Sequence, residues 1–194
     1  YLVRHGQDED NANGILNGHR DAPLTDIGRQ QAKELAQKIQ NTTVKINLVL
    51  TSPLKRTIET AQIISLTAKL PKPISEPLLI ERNFGVMTGR RQADIIPICS
   101  PDILKTETIT YFLSPEGAET FPDLLSRAKK LFEVIDQKYI SKNLLLVSHG
   151  DFGKMIFAAY YNLDWQKVLT SFHFGNSEML KLSSDTNPKY AKII

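Results

Sequence analysis

With one cysteine, Cys99, in 194 residues, the chain cannot form an internal disulfide. A solitary thiol points to a reducing, cytoplasmic setting, although a simple secreted protein could carry the same count. Long apolar runs are missing too. The longest, residues 155–161, falls well short of the roughly 20 residues a membrane-spanning helix needs. No block of one charge sign exists either: Lys plus Arg at 24 against Asp plus Glu at 21 leaves +3, and the longest basic runs are pairs, Arg90-Arg91 and Lys129-Lys130 among them. Scattered pairs exclude a nucleic-acid track, and they neither require nor forbid a small anionic substrate. Repeats, low-complexity tracts and biased linkers are absent. No secretory signal is visible, and because Tyr1 falls inside an apparent strand, a short stretch is expected ahead of it.

What is present suffices for one core. At 41% hydrophobic residues, a chain of this size can fold without staples, and we read residues 1–194 as a single domain. Short apolar runs alternate with amphipathic stretches, the pattern of an α/β sandwich in three layers, with a mostly parallel sheet flanked by helices and one antiparallel edge strand. Residues 1–4 end a strand. Thr25 caps a helix in which Ile27, Ala32, Leu35, Ala36 and Ile39 recur at helical spacing. Residues 46–51 form a second strand, after which Ser52 as cap and Pro53 as first helical residue open a helix to about Lys69. The prolines at 71, 73 and 77 bracket an extended piece, and residues 84–115, without sustained periodicity, read as a cover. Leu124, Leu125, Ala128, Leu131, Phe132, Ile135 and Tyr139 mark a long helix. A buried-type strand at 144–147, a helix at 152–161, another from Trp165 and an edge strand at 178–182 complete the reading.

Two strands end alike, in Leu2-Val3-Arg4-His5-Gly6 and Leu146-Val147-Ser148-His149-Gly150. Ligands of open parallel sheets bind outside the strands' carboxyl ends, so neighbouring strands would set the two imidazoles face to face. The glycine after each histidine allows a sharp turn that brings backbone N–H groups towards an anion. One such histidine alone reads as an ordinary loop residue; the matched pair points to a site. The four histidines, His5, His19, His149 and His173, lack the close spacing of zinc ligands, so no metal is expected. Arg4 adjoins His5, and Arg56 stands in the first turn of its helix, where a side chain leaning back towards the strand tips would bind phosphate oxygens in a fork. An exposed helix arginine is the other reading of Arg56.

These motifs, with Asn11, residues 18–25, Gly28, Gln31-Ala32, residues 51–57, Thr60-Ala61, residues 81–85, Gly89 and residues 115–120, resemble in order the histidine phosphatase superfamily. That family includes cofactor-dependent phosphoglycerate mutases, fructose-2,6-bisphosphatases and broad phosphomonoesterases. The resemblance implies that His5 is the nucleophile, that Arg4, Arg56 and His149 line the phosphate pocket, and that Glu81 is the proton donor. It also implies a phosphate contact from Asn11 and backbone closure of the pocket at Asn17, Gly18 and Gly150. Glu119 is either a residue that orients this machinery or a first-turn helix glutamate. Gln7, Asp151 and Lys154 depart from the usual glutamate, small residue and arginine.

On this reading His5 attacks while neutral, its second ring N–H held by a backbone carbonyl near Gly6, and His149 acts as a donor. Glu81 starts protonated, its carboxyl pushed up by burial and bound phosphate. The expected function is metal-independent hydrolysis of small phosphorylated metabolites through a phosphohistidine. A phosphoglycerate mutase is the alternative, and it would bring 2,3-bisphosphoglycerate as cofactor where the hydrolase needs none. An inactive phosphate-recognising interaction module is the second alternative. The 26 residues between Gly89 and Glu116 are fewer than the mutases of this family carry, which favours water as acceptor. No nucleic-acid or membrane partner is expected, and oligomeric state is not legible.

Overall fold

The computed structural model describes residues 1–185, 187 and 188. The chain runs β1 (Leu2–Arg4), α1 (Glu9–Ala12), α2 (Asp26–Gln40), β2 (Leu48–Thr51), α3 (Lys55–Ala68), β3 (Ile74–Ser75), α4 (Ile95–Cys99), β4 (Ile103–Lys105) and β5 (Thr110–Phe112). It continues through α5 (Phe121–Lys138), β6 (Leu144–Ser148), α6 (Gly150–Tyr160), α7 (Trp165–Ser171) and β7 (Met179–Leu180). The main sheet has the order β3-β2-β6-β1-β7, parallel except for β7 against β1.

Alternation along each strand divides the interior in two, because successive side chains point to opposite faces. Leu2, Leu50, Leu144 and Leu146 pack with residues of α5, α6 and α7, whereas Val3, Val49, Leu145 and Val147 pack with residues of α2 and α3. Burial on both faces explains why β6 reads Leu-Leu-Leu-Val without a polar residue until its final serine. Register decides the site. Arg4 pairs with Ser148 across β1 and β6, so the next residues, His5 and His149, leave adjacent tips at one level.

Several boundaries differ from the sequence expectation. Helix α3 begins at Lys55 with Leu54 as its cap, two residues later than expected; the Ser52 hydroxyl accepts from the Leu54 N–H at 3.4 Å and from His149 Nε2 at 2.7 Å, so it serves the turn before the helix and the site together. Thr25 does cap α2, accepting from the Gly28 N–H at 3.1 Å, but Ile27 is left exposed on the outer side of that helix. Helix α5 starts three residues before Leu124, with Thr120 and Asp123 forming a reciprocal capping box. The edge strand shortens to the two residues of β7, and just before it the Glu178 carboxylate turns back to accept from the Gly175 N–H at 2.6 Å.

The cover contains short elements of its own. Strands β4 and β5 form a separate antiparallel pair, and a third small core gathers Leu16, Phe84, Met87, Ile95, Cys99 and Phe112. Gly6 has a different reason from the turn inferred for it: any side chain there would strike the backbone of Gly28, so the two glycines let α2 press against the loop that follows His5. Among the described residues, no helix is long and apolar enough to cross a membrane.

Candidate active site

The adjacent strand tips place the His5 and His149 ring centroids 5.2 Å apart. Between them lies Arg56, fully buried, whose Nε is 3.2 Å from both His5 Nε2 and His149 Nδ1. Its other two nitrogens donate to backbone carbonyls, Nη1 to Arg20 at 2.7 Å and Nη2 to Gly18 at 2.8 Å. The sequence left open whether Arg56 was a surface residue. It is the centre of the site.

These bonds assign the protons, since a ring nitrogen facing a guanidinium must accept. His5 therefore donates from Nδ1 to its neighbour's carbonyl, Gly6 O, at 2.7 Å and keeps a lone pair on Nε2. His149 donates from Nε2 to the Ser52 hydroxyl at 2.7 Å and accepts at Nδ1. The nitrogen of His149 nearest Arg56 is thus an acceptor in the resting site. Burial, then the charges of Arg56 and Arg4, hold the His5 pKa well below its ordinary value; burial, Arg56 and His5 do the same for His149. Both rings are neutral at pH 7.

Arg4 anchors Nη1 on Phe174 O at 2.7 Å, and its buried Nε has no hydrogen-bond partner among the described residues. Asn11 faces the same cavity, its Oδ1 accepting from Asn176 Nδ2 at 3.3 Å. Asn17 is tied down, donating from Nδ2 to Asp8 Oδ2 at 2.7 Å. Gly18 contributes a carbonyl to Arg56, and the Gly150 N–H points to Glu81 Oε2 at 3.1 Å. Asn17 and Gly150 line the cavity, and these two backbone groups hold the pocket's side chains in place.

Glu81 sits under the N-terminus of α6. Its Oε1 accepts from the N–H groups of Arg82 at 2.8 Å and Phe152 at 3.0 Å, and Oε2 accepts from Gly150 and, at 3.4 Å, from Asp151. Burial raises its pKa most and the Asp151 carboxylate next, opposed by the Arg82 N–H, Arg56 and the Phe152 N–H. Glu119 precedes α5 and is no first-turn residue. It clamps Arg127 through bonds of 2.8 and 2.9 Å, and Arg127 in turn donates to the carbonyls of Leu78, Ile80 and Glu81.

Asp8 escaped the sequence reading. Fully buried, it lies 3.4 Å from Arg56 Nε and 3.8 Å from His5 Nδ1, and it caps α1 through the Asn11 N–H. Its position three residues after His5 was the available signal. Above the floor opens a cavity of about 360 Å³, walled by Arg4, Asn11, Asn17, Glu81 and Lys154 and covered by residues of α4, β5 and the turn before β5. Among the described residues, no three His, Cys, Asp or Glu side chains gather as a metal-binding group.

Paired imidazoles around a buried guanidinium at parallel strand tips define an α/β protein built to receive a tetrahedral oxyanion. The chain belongs to the histidine phosphatase superfamily (branch 1), whose family model matches residues 1–191. It is 29% identical over 154 residues to a 2,3-bisphosphoglycerate-dependent phosphoglycerate mutase of Rhizobium etli, covering 77% of this chain and 74% of the relative. It is 28% identical over 166 residues to phosphoserine phosphatase 1 of Hydrogenobacter thermophilus, covering 86% and 77%. A solved phosphoserine phosphatase of Entamoeba histolytica, in complex with 3-phosphoglyceric acid, shares the fold with a TM-score of 0.73 at 24% identity, covering 92% of this chain and 87% of that one.

Proposed function

We propose that the chain is a phosphomonoesterase that works without a metal ion or other cofactor, through a phosphohistidine on His5, with a small phosphorylated metabolite as substrate. The observation that carries this reading is the His5 tautomer: Nδ1–H is spent on Gly6 O, which leaves the Nε2 lone pair beside Arg56. Arg4 and Arg56 supply the positive charge that phosphoryl transfer requires around the equatorial oxygens. Asn11 adds a side-chain contact.

In the first step His5 Nε2 attacks phosphorus, the ester P–O bond breaks, and Glu81 gives its proton to the departing alcohol oxygen. His149 takes up a proton from solvent at Nδ1 when the dianion arrives, donates it in a hydrogen bond to a phosphoryl oxygen, and returns it to solvent as phosphate leaves. In the second step water attacks phosphorus, the P–N bond breaks, and the Glu81 carboxylate accepts the water's proton. Inorganic phosphate leaves, and Glu81 and His5 are restored.

Hydrolysis of p-nitrophenyl phosphate in the presence of EDTA, abolished in His5→Ala, tests the reading. Mass spectrometry of acid-quenched mixtures should find a phosphoryl adduct on His5; an active enzyme without one would overturn the mechanism. The Rhizobium relative's name favours a second reading, a mutase. Interconversion of 3- and 2-phosphoglycerate that depends on 2,3-bisphosphoglycerate and outpaces hydrolysis would establish it.

A further inference from the structure

The turn before β7 takes hold of the first strand tip. Residues 175–178 close it twice, with the Glu178 N–H donating to Gly175 O at 3.3 Å and the Gly175 N–H to the Glu178 carboxylate at 2.6 Å. Ser177 sits in this turn at a φ of 53°, a left-handed backbone that a residue other than glycine adopts at a cost. In that conformation its N–H faces two carbonyls, Arg4 O at 3.0 Å and His5 O at 3.3 Å. Asn176 adds its side chain, donating from Nδ2 to His5 O at 2.9 Å and to Asn11 Oδ1 at 3.3 Å. Both carbonyls that flank the nucleophile's Cα are therefore held by a segment from the far end of the chain.

These bonds orient the Asn11 amide by elimination. A carbonyl such as His5 O can only accept, so the Asn176 group beside it is the NH2; an NH2 only donates, so the Asn11 group beside that is the carbonyl oxygen. The remaining end of the Asn11 amide is Nδ2, which donates to none of the described residues, and Asn11 lines the cavity together with Arg4 and Gly150. Its backbone is pinned as well, the Asn11 N–H donating to Asp8 Oδ1 at 2.7 Å. We propose that Asn176 is a positioning residue: it turns the Asn11 amide so that Nδ2, a donor, faces the phosphoryl oxygens, and the turn before β7 thereby sets the floor's affinity for phosphate from 165 residues away in the chain. The opposite orientation would set the Oδ1 lone pairs against a dianion, which repels. The proposed function enters at one point, the phosphate group that the floor receives.

Inorganic phosphate is the probe, because it reads the floor without turnover. In the unmodified chain the side-chain NH2 resonances of Asn11, assigned by their loss in Asn11→Ala, should shift downfield as phosphate is titrated and followed by 1H–15N NMR, and those of Asn176 should shift less. An Asn11 amide that stays in place while phosphate binds overturns the proposal, and this measurement needs no altered turn. Calorimetry of phosphate binding adds a double-mutant cycle. Asn11→Ala should weaken binding by about ten- to a hundredfold, the range of one hydrogen bond to a charged group. In Asn176→Asp the carboxylate can only accept, so it draws Asn11 Nδ2 to itself and turns Oδ1 towards the phosphate. Its charge and its repulsion of His5 O act in either background and cancel in the comparison. The Asn176→Asp penalty should therefore be larger by about fivefold or more in the parent than in Asn11→Ala, and equal penalties overturn the positioning role. Phosphate binding with this coupling in a chain that hydrolyses no ester sinks the phosphatase reading and keeps the inference; hydrolysis of p-nitrophenyl phosphate together with equal penalties sinks the inference alone.

Discussion

His149 donates from Nε2 to the Ser52 hydroxyl at 2.7 Å, and this bond between residues 97 apart in the chain decides which imidazole nitrogen faces Arg56. In Ser52→Ala the buried N–H loses its acceptor and the other tautomer becomes competitive. We expect kcat to fall about tenfold with little change in KM, since one such bond is worth about 1 kcal/mol or somewhat more. Steady-state kinetics on p-nitrophenyl phosphate check it. An unaltered kcat would mean that the hydroxyl does not set the tautomer.

Glu81 carries a raised pKa, with burial as the main cause and Asp151 the next. The group is needed protonated in the first step, so activity should hold at low pH and decline as pH rises through its folded pKa. Asp151→Asn removes the neighbouring negative charge and should move that decline to lower pH, because the opposing charge no longer disfavours ionisation. A pH profile of kcat/KM measured on both proteins decides the matter; a limb that stays in place would remove Asp151 from the account.

Gly28 packs against the loop after His5 so closely that an added Cβ would strike the backbone of Gln7. Backbone cannot swing aside as a side chain does. Gly28→Ala should destabilise the fold by about 1–3 kcal/mol, the usual cost of overpacking, and should displace His5 with it. Urea denaturation reads the first effect and kcat/KM the second. A variant as stable and as active as the parent would contradict this packing.

Strand tips and their histidines were legible because the apolar runs before them are buried on both faces and end abruptly in polar residues and glycine. Matched context made a shared site conditional on β1 and β6 being neighbours, and the register of Arg4 with Ser148 shows that they are. At Ser52 the start signal of serine before proline set the helix two residues early, and the hydroxyl serves both the Leu54 N–H and a histidine distant in sequence. Ile27 fits the helical spacing of α2 and is nonetheless exposed, because periodicity marks a stripe without showing how far the opposing surface reaches. Strands β4 and β5 have three residues each, too few for alternation to register. Tyr111 acquires its neighbours only through folding, and for Asp8 the local pattern offers no more than its place three residues after His5.

The cover's small core, built on Phe84, Met87, Ile95 and Phe112, is distinct from the two that flank the sheet. Mutations that repack it need not propagate to the catalytic floor, because the hydrophobic contacts that fix the two regions are separate. Selection can therefore retailor the roof for new leaving groups while inheriting the chemistry beneath it intact, and a laboratory library confined to Met87, Ile95, Cys99 and Phe112 would sample selectivity at little risk to turnover.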